Sequence, residues 1–390
     1  LSMYEHAYLD HAATTPQALA VFVAMQPYCS EHFANPSSIH QSGVATRDAV
    51  ARARKRVAGV LGCNPDEIIF TSGGTESNNL ALAGIAEAHN FKGHIISSAV
   101  EHASVLETLK HLERRGVSVT MLAVDEYGRV NPEDVKNAIT GDTFLVSIMY
   151  ANNEIGTIQT ISEIGNLVQK KGILMHTDAV QAPGLLPLSV KKLHVDMLSL
   201  SGHKFYGPKG VGILYAKRGT LIAPQMRGGG QERGRRSGTE NIPGIVGAAV
   251  ALVHAEQRRE KESARLSVLR DWLIKEVTSR IPSAVLTGHP EERLPNSASF
   301  CFSGVSGEYV VMRLSERGFD CSSGSACTTG ALEPSHVLLA CGLDEHTASG
   351  SLRVTFGAST TQAQLKQFSS VLVEEVKKYE YILASRLGNE

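Results

Sequence analysis

Seven short apolar runs punctuate the first half of the chain: EIIF at 67, HII at 94, VSVTML at 117, FLVSIMY at 144, ILMH at 173, DMLSL at 196 and VGILY at 211. Runs of this length, separated by longer stretches of helical period, read as β-strands alternating with helices. That rhythm predicts an α/β fold around a largely parallel sheet. One intervening helix is plain, because Ala45, Ala49, Ala53, Val57, Val60 and Leu61 fall three or four residues apart over 41–61 and predict one apolar face.

After about residue 258 the pattern changes. Leu266, Leu269, Leu273, Val277 and Ile281 form a stripe on a charged helix, and strands are predicted near ASFCF, VVMRL and SLRVTF. Leu365, Phe368, Leu372, Val376 and Tyr379 predict a closing amphipathic helix. A second, smaller α+β domain follows from this change of rhythm. With 390 residues and 42% apolar side chains, the chain is long enough to bury two such cores.

The charge balance narrows the choice of partners. The 38 basic and 39 acidic side chains leave a net charge of -1, so no overall field draws the protein to nucleic acid or to an anionic membrane. No apolar run reaches the roughly 20 residues that span a bilayer, and Leu1 to Asp10 lacks the basic-then-apolar order of a secretory leader. The six cysteines are sparse and show no paired zinc-ligand spacing, which fits a reducing compartment and predicts a cytoplasmic protein without a bound metal. Most of them sit in apolar runs, as Cys301 and Cys341 do, where cysteine behaves as a small hydrophobe.

Five polar segments immediately follow predicted strands: TSGGTES at 71, EH at 101, ANNEIG at 151, TDAVQ at 177 and SGHK at 201. Ligands of open α/β sheets bind at the carboxyl ends of strands, so the five predict one shared site. Each also has a plainer reading. TSGGTES puts glycines and hydroxyls at a helix start, where free amides bind phosphate or where Ser or Thr merely caps a turn. Lys204 among Ser, Gly, His and Tyr is a candidate for Schiff-base chemistry, although most lysines are solvated surface groups. Asp178 at a strand end needs a cationic or hydrogen-bonding partner if buried; equally, it caps the turn into AVQAPG. His102 reads as a stacking or acid–base group or as a structural histidine, and the Asn152-Asn153 pair as a ligand set or a turn.

Cys327 differs from the other cysteines. The segment CSSGSACTTG at 321–330 surrounds it with small residues and nothing apolar, which predicts a loop with an accessible, reactive thiol. The run RGGGQERGRRSGTEN at 227–241 superficially suggests an arginine–glycine nucleic-acid segment. Because it occurs once in a charge-balanced chain, a phosphate-binding or subunit-sealing loop is the better expectation, and no direct nucleic-acid binding is expected.

Taken together the segments resemble the cysteine desulfurases, NifS/IscS-like members of the class V aminotransferase family among the fold-type I pyridoxal-phosphate enzymes. The resemblance runs from LDHAATTP at 9 through ANPSSIH, FTSGGTESNNLA, EHASV, NNEIGTIQ, HTDAVQA, SGHKFYGPKG and RSGTEN to SSGSACTTGALEPSHVL and SLRVTFG. It implies a large cofactor-binding domain over 15–258 on a mostly parallel seven-stranded sheet. A small α+β domain, made of 1–14 and 259–390, would carry the cysteine loop. The SSGSAC form with LEPS downstream resembles the group whose cysteine loop is longer.

The resemblance also implies roles. Lys204 would carry pyridoxal 5'-phosphate covalently, His102 would stack on its ring, Asp178 would pair with the pyridinium nitrogen and Gln181 would hydrogen-bond the ring hydroxyl. Gly74, Thr75, Ser201 and His203 would hold the phosphate, with Thr239 reaching in from a second subunit of a homodimer. Asn153 would meet cofactor and substrate, and Arg353 would bind the carboxylate of L-cysteine by a bidentate guanidinium pair. Cys327 would take the sulfur as a persulfide, leaving alanine, and hand it to an acceptor protein serving iron–sulfur clusters, tRNA thiolation or other sulfur modification. Two other readings stand beside this one. An aminotransferase or selenocysteine lyase would keep Lys204 and Asp178 without needing Cys327, and a catalytically silent binding subunit would need neither.

Overall fold

A computed structural model describes residues 6–324 and 334–387. Twelve strands occur among them: β1 Ala7–Tyr8, β2 Ile68–Thr71, β3 His94–Ser98, β4 Ser118–Leu122, β5 Thr143–Ser147, β6 Leu174–Asp178, β7 Met197–Ser201, β8 Gly212–Ala216, β9 Ala284–Leu286, β10 Ser297–Phe302, β11 Phe319–Asp320 and β12 Ser351–Thr355. All seven apolar runs of the first half become strands of one sheet, in the order β2-β8-β7-β6-β5-β3-β4. Neighbours from β7 through β4 pair in parallel, and β8 alone runs antiparallel to both of its neighbours.

The strands are apolar because the sheet is covered on both faces. On one face, helix Gln41–Leu61 and the start of the long helix Ile242–Arg280 bury Ala49, Ala53, Val57, Ile245, Ala248 and Leu252. On the other, Leu82 and Ile85 of helix Gly74–Ala88 join Val105 and Leu109 of helix Ala103–Arg114. The apolar face expected on helix Gln41–Leu61 is rotated slightly. Ala45 is exposed and Thr46 is buried, its hydroxyl satisfied by the Gly43 carbonyl at 2.9 Å. Gly62 ends this helix at φ 70°, a left-handed conformation that favours glycine.

A second core gathers Leu266, Leu269, Leu273 and Val277 from the far end of the long helix, with Phe300, Leu352, Phe368 and Leu372. Leu9, from the start of the chain, belongs to this core as well. The 39-residue helix runs unbroken through residue 258, so one rigid element is shared by the two cores. Here the sheet is antiparallel, ordered β12-β10-β9.

The strand expected at VVMRL is a helix, Gly307–Glu316. Although Val310 and Val311 favour strands, the Ser306 hydroxyl accepts from the Tyr309 amide and starts a helix. Val310 and Leu314 then face the core four residues apart, while Arg313 pairs with the exposed Glu316 and with the buried Glu375 of the closing helix. No described helix is long and apolar enough to cross a membrane.

Candidate active site

Strands β2, β3, β5, β6 and β7 all end on the same edge of the sheet, because parallel strands carry their carboxyl ends together. The segments that follow them wall a cavity of about 600 Å³. Gly74, Thr75, His102, Asn153, Asp178, Gln181, Ser201, His203 and Lys204 all line it, together with Ala12 and Ala13 from the start of the chain.

One end of the cavity suits an anion. Helix Gly74–Ala88 begins there with Gly73 in the capping position and no side-chain cap, so among the described residues the Gly74 and Thr75 N–H groups are left for a ligand. A side chain at Gly74 would put its Cβ 2.8 Å from Val180 Cγ2, so glycine is what lets the helix start this close to the turn after β6. Ser201 lies alongside at the end of β7. The His203 imidazole, whose Nδ1 meets the Thr14 hydroxyl at 3.0 Å, is pushed down to about 4. Burial is the main cause and the charges of Lys204 and Lys209 add to it, so His203 is neutral at pH 7.

The other end is set for a cationic ring. Asp178 is buried at the tip of β6, and its carboxylate accepts from Asn78 Nδ2 at 2.7 Å and from the Val180 amide at 3.0 Å. Among the described residues no cationic side chain forms an ion pair with it, so a buried carboxylate is held ready for a positive partner. His102 caps helix Ala103–Arg114, and burial lowers its pKa, with the Lys204 and His336 charges acting the same way and Asp178 opposing them. Its Nδ1 accepts from the Ser104 amide at 3.1 Å, which places the proton of the neutral ring on Nε2.

Lys204 extends across the cavity and donates to the carbonyls of Ala12 and Ala13, the second at 2.8 Å. Gln181 donates to the same Ala12 carbonyl at 3.0 Å. The LDHAATTP segment thus closes one wall by its backbone. Tested against pyridoxal phosphate, the residues present fit: free helix amides for a phosphate, an unpaired buried carboxylate for a ring nitrogen, a neutral imidazole at the flank and a primary amine within the same cavity.

Two expected residues lie apart from these walls, and a third falls outside the described residues. Arg353, on β12, is 1% exposed; its Nη2 pairs with Asp10 at 2.8 Å and its Nη1 donates to the Asn153 carbonyl at 3.0 Å. The guanidinium is thus held behind Asn153 by protein groups, not presented in bidentate fashion to the cavity. Thr239 is exposed and does not contribute to the cavity of its own chain. Cys327 lies outside the described residues, although Gly324 and Ser335 on either side of that segment are fixed. The Gly324 amide donates to Ser351 Oγ at 3.0 Å, and the Ser335 hydroxyl donates to the buried Glu154 carboxylate.

Cys301 is a buried thiol pushed up to about 12 by its surroundings, and Cys341, half-buried in the same cluster, is likewise pushed to about 12. Sequence reasoning missed Asn78 and Ser104, which join Asp178 to His102. A signal for the first was present: Asn78 sits three, four and seven residues before Ala81, Leu82 and Ile85, so a polar amide occupies the buried face of an apolar helix.

Comparison with known proteins bears on this site. Residues 7–368 match the family described as aminotransferase class-V. A protein named cysteine desulfurase IscS from Dictyoglomus turgidum is 49% identical over 377 residues, covering 96% of each chain. Among solved structures, a NifS-like protein superposes with a TM-score of 0.90 at 39% identity, covering 96% of this chain and all of its own. A structure described as SspA in complex with cysteine superposes with a TM-score of 0.80 at 39% identity, covering 90% of this chain and 98% of that one.

Proposed function

The chain belongs to the class V aminotransferases and, within them, to the cysteine desulfurases, and from that premise we propose how its residues divide the work. The protein removes sulfur from L-cysteine, giving alanine. The observation that carries the assignment of roles is the convergence of Lys204, Asp178 and His102, from three different strand ends, on one cavity with a free helix N-terminus.

Pyridoxal 5'-phosphate is the cofactor these groups suit, and bound there it supplies an electron sink for a carbanion at the substrate Cα. Gly74, Thr75, Ser201 and His203 hold the phosphate, Asp178 keeps the ring nitrogen protonated, and His102 and Gln181 fix the ring. Lys204 Nζ is the covalent anchor and then the base that takes and returns the Cα proton. Asn153 and Arg353 receive the substrate carboxylate, Arg353 being freed for it by a shift from Asp10. The Cys327 thiolate attacks the substrate sulfur: the S–S bond forms as the Cβ–S bond breaks, and the electron pair remains with the amino-acid carbon, which takes a proton to become alanine.

The persulfide on Cys327 then passes to a sulfur-acceptor protein. Assembly of iron–sulfur clusters fits the named relatives, and tRNA thiolation would begin with the same step. A homodimer completes the phosphate site through Thr239 of the partner subunit. In support, helix Leu19–Met25 leaves Leu19, Phe22 and Val23 exposed along one face. A cytoplasmic setting is consistent with the free cysteines at positions 29, 63, 301, 321 and 341.

The test is alanine release from L-cysteine by the purified protein with a thiol reductant, beside a Cys327→Ser variant. Alanine from the wild type alone supports the desulfurase with Cys327 as nucleophile. Full turnover by the variant points instead to the aminotransferase-like chemistry that has no use for that thiol.

A further inference from the structure

Asn78 is buried on helix Gly74–Ala88 directly beneath the cavity. Its Nδ2 donates one proton to Asp178 Oδ2 at 2.7 Å and the other to Ser104 Oγ at 2.9 Å. An amide nitrogen only donates, so the Ser104 hydroxyl accepts here and its own proton is left for His102 Nδ1, 2.8 Å away. The two links from Asn78 to Ser104 and from Ser104 to His102 therefore share one polarity, and the third donates from Asn78 to Asp178. The opposite amide orientation would set Oδ1, an acceptor, against Asp178 Oδ2, an oxygen of a carboxyl group whose Oδ1 already accepts from the Val180 amide. In the observed one Oδ1 is buried with no hydrogen-bond partner among the described residues. Leaving an amide oxygen unpaired is costly, and the compensation is that both Nδ2 protons are committed.

We propose that Asn78 is a positioning residue that couples the two flanks of the cofactor site, fixing the Asp178 carboxylate on one side and, through Ser104, the orientation of the His102 ring on the other. The proposal rests on the pyridoxal phosphate reading. It concerns residues of this chain, whose behaviour is measurable without the cofactor. The charged groups that face His102 are Asp178, Lys204 and His336.

The experiment follows the ring-nitrogen signals of His102 by NMR, in the full-length protein labelled at histidine, through a pH titration without added pyridoxal phosphate. The pH midpoint of the cofactor absorbance band is measured in parallel on the loaded protein. Variants are Asn78→Leu, Asn78→Ala and Ser104→Ala. Ser104→Ala removes a donor to Nδ1, and the Asn78 variants remove the amide that turns the Ser104 proton toward it; either makes the ring easier to protonate, so the His102 titration should rise, by about one pH unit in Ser104→Ala and by less in the Asn78 variants. The absorbance midpoint should move by about half a unit or more in the two Asn78 variants and stay in place in Ser104→Ala, which keeps the Asn78–Asp178 bond. An unchanged His102 titration in Ser104→Ala and in a folded Asn78 variant overturns the relay. Equal movement of the absorbance midpoint in Ser104→Ala overturns the assignment of that effect to the Asn78–Asp178 link. If wild type binds no cofactor, it is the pyridoxal phosphate reading that fails, and the His102 titration still decides the relay.

Discussion

The two sides of the site are built differently. The large-sheet side presents strand ends and helix starts: Asp178 at the tip of β6, Ser201 at the tip of β7, Gly74 and Thr75 opening a helix. Asp178 and Ser201 are held by strands buried in the sheet core, and Gly74 by a helix packed against it. The small-domain side presents Arg353 from β12, tied to Asp10 and to the Asn153 carbonyl, and the fixed flanks Gly324 and Ser335 of the segment that holds Cys327. Here contacts join residues far apart in sequence. The comparison teaches that the large-sheet side places its groups by strand ends and helix starts, whereas the small-domain side places Arg353 by long-range bonds to Asp10 and the Asn153 carbonyl, one of which must give way if Arg353 is to take a substrate carboxylate as proposed.

The contrast breaks most completely at Lys204. Lys204→Ala should lower alanine formation by at least about a thousandfold and abolish the absorbance band that borohydride removes; a variant retaining the band would remove Lys204 from the anchoring role. Cys327→Ser should bring sulfur release to background while leaving that band and its response to L-cysteine in place. Loss of both together would mean that the cysteine segment also shapes the cofactor half.

Arg353→Lys sharpens the comparison on the substrate side. A lysine cannot make the planar two-point contact, so the KM for L-cysteine should rise about tenfold, on the order of 1.4 kcal/mol, with a smaller change in kcat. An equal fall in kcat with no change in KM would assign Arg353 to structure alone. Legibility in sequence follows the same divide. The nine large-sheet wall residues named here all lie in the five polar segments read after strands, because a strand followed by its polar tail is a local pattern, while their separate roles were implied only by the family resemblance. The Asp10–Arg353 pair was not legible, because 343 residues separate the partners.

A last prediction concerns stability, in the sheet beneath the site, and leaves the comparison of the two sides untouched. His176 is fully buried on β6 between Ser147 at 2.8 Å and Ser199 at 3.0 Å, and burial pushes it down to about 4. An unfolded histidine takes its proton near pH 6.5. The contribution of neutral His176 is therefore present in full above pH 6.5 and lost as the pH falls toward 4, with a total of about 3 kcal/mol. His176→Asn should flatten the fall in unfolding free energy over that window. An unchanged slope by denaturant titration would place the acid sensitivity elsewhere.

The sequence alone determined the alternation of strand and helix, the mostly parallel seven-stranded sheet and the clustering of five polar segments at strand ends, because periodicity and strand-end position are properties of neighbouring residues. It erred at VVMRL, where β-branched residues favour a strand but the Ser306 cap and the four-residue spacing of Val310 and Leu314 serve a helix. Only the tertiary structure decided that Asn78 and Ser104 connect Asp178 to His102, that the Ala12 and Ala13 carbonyls receive Lys204, and that Arg353 is held by Asp10. These are hydrogen bonds between groups brought together by packing, and their direction depends on which donor is left without any other acceptor.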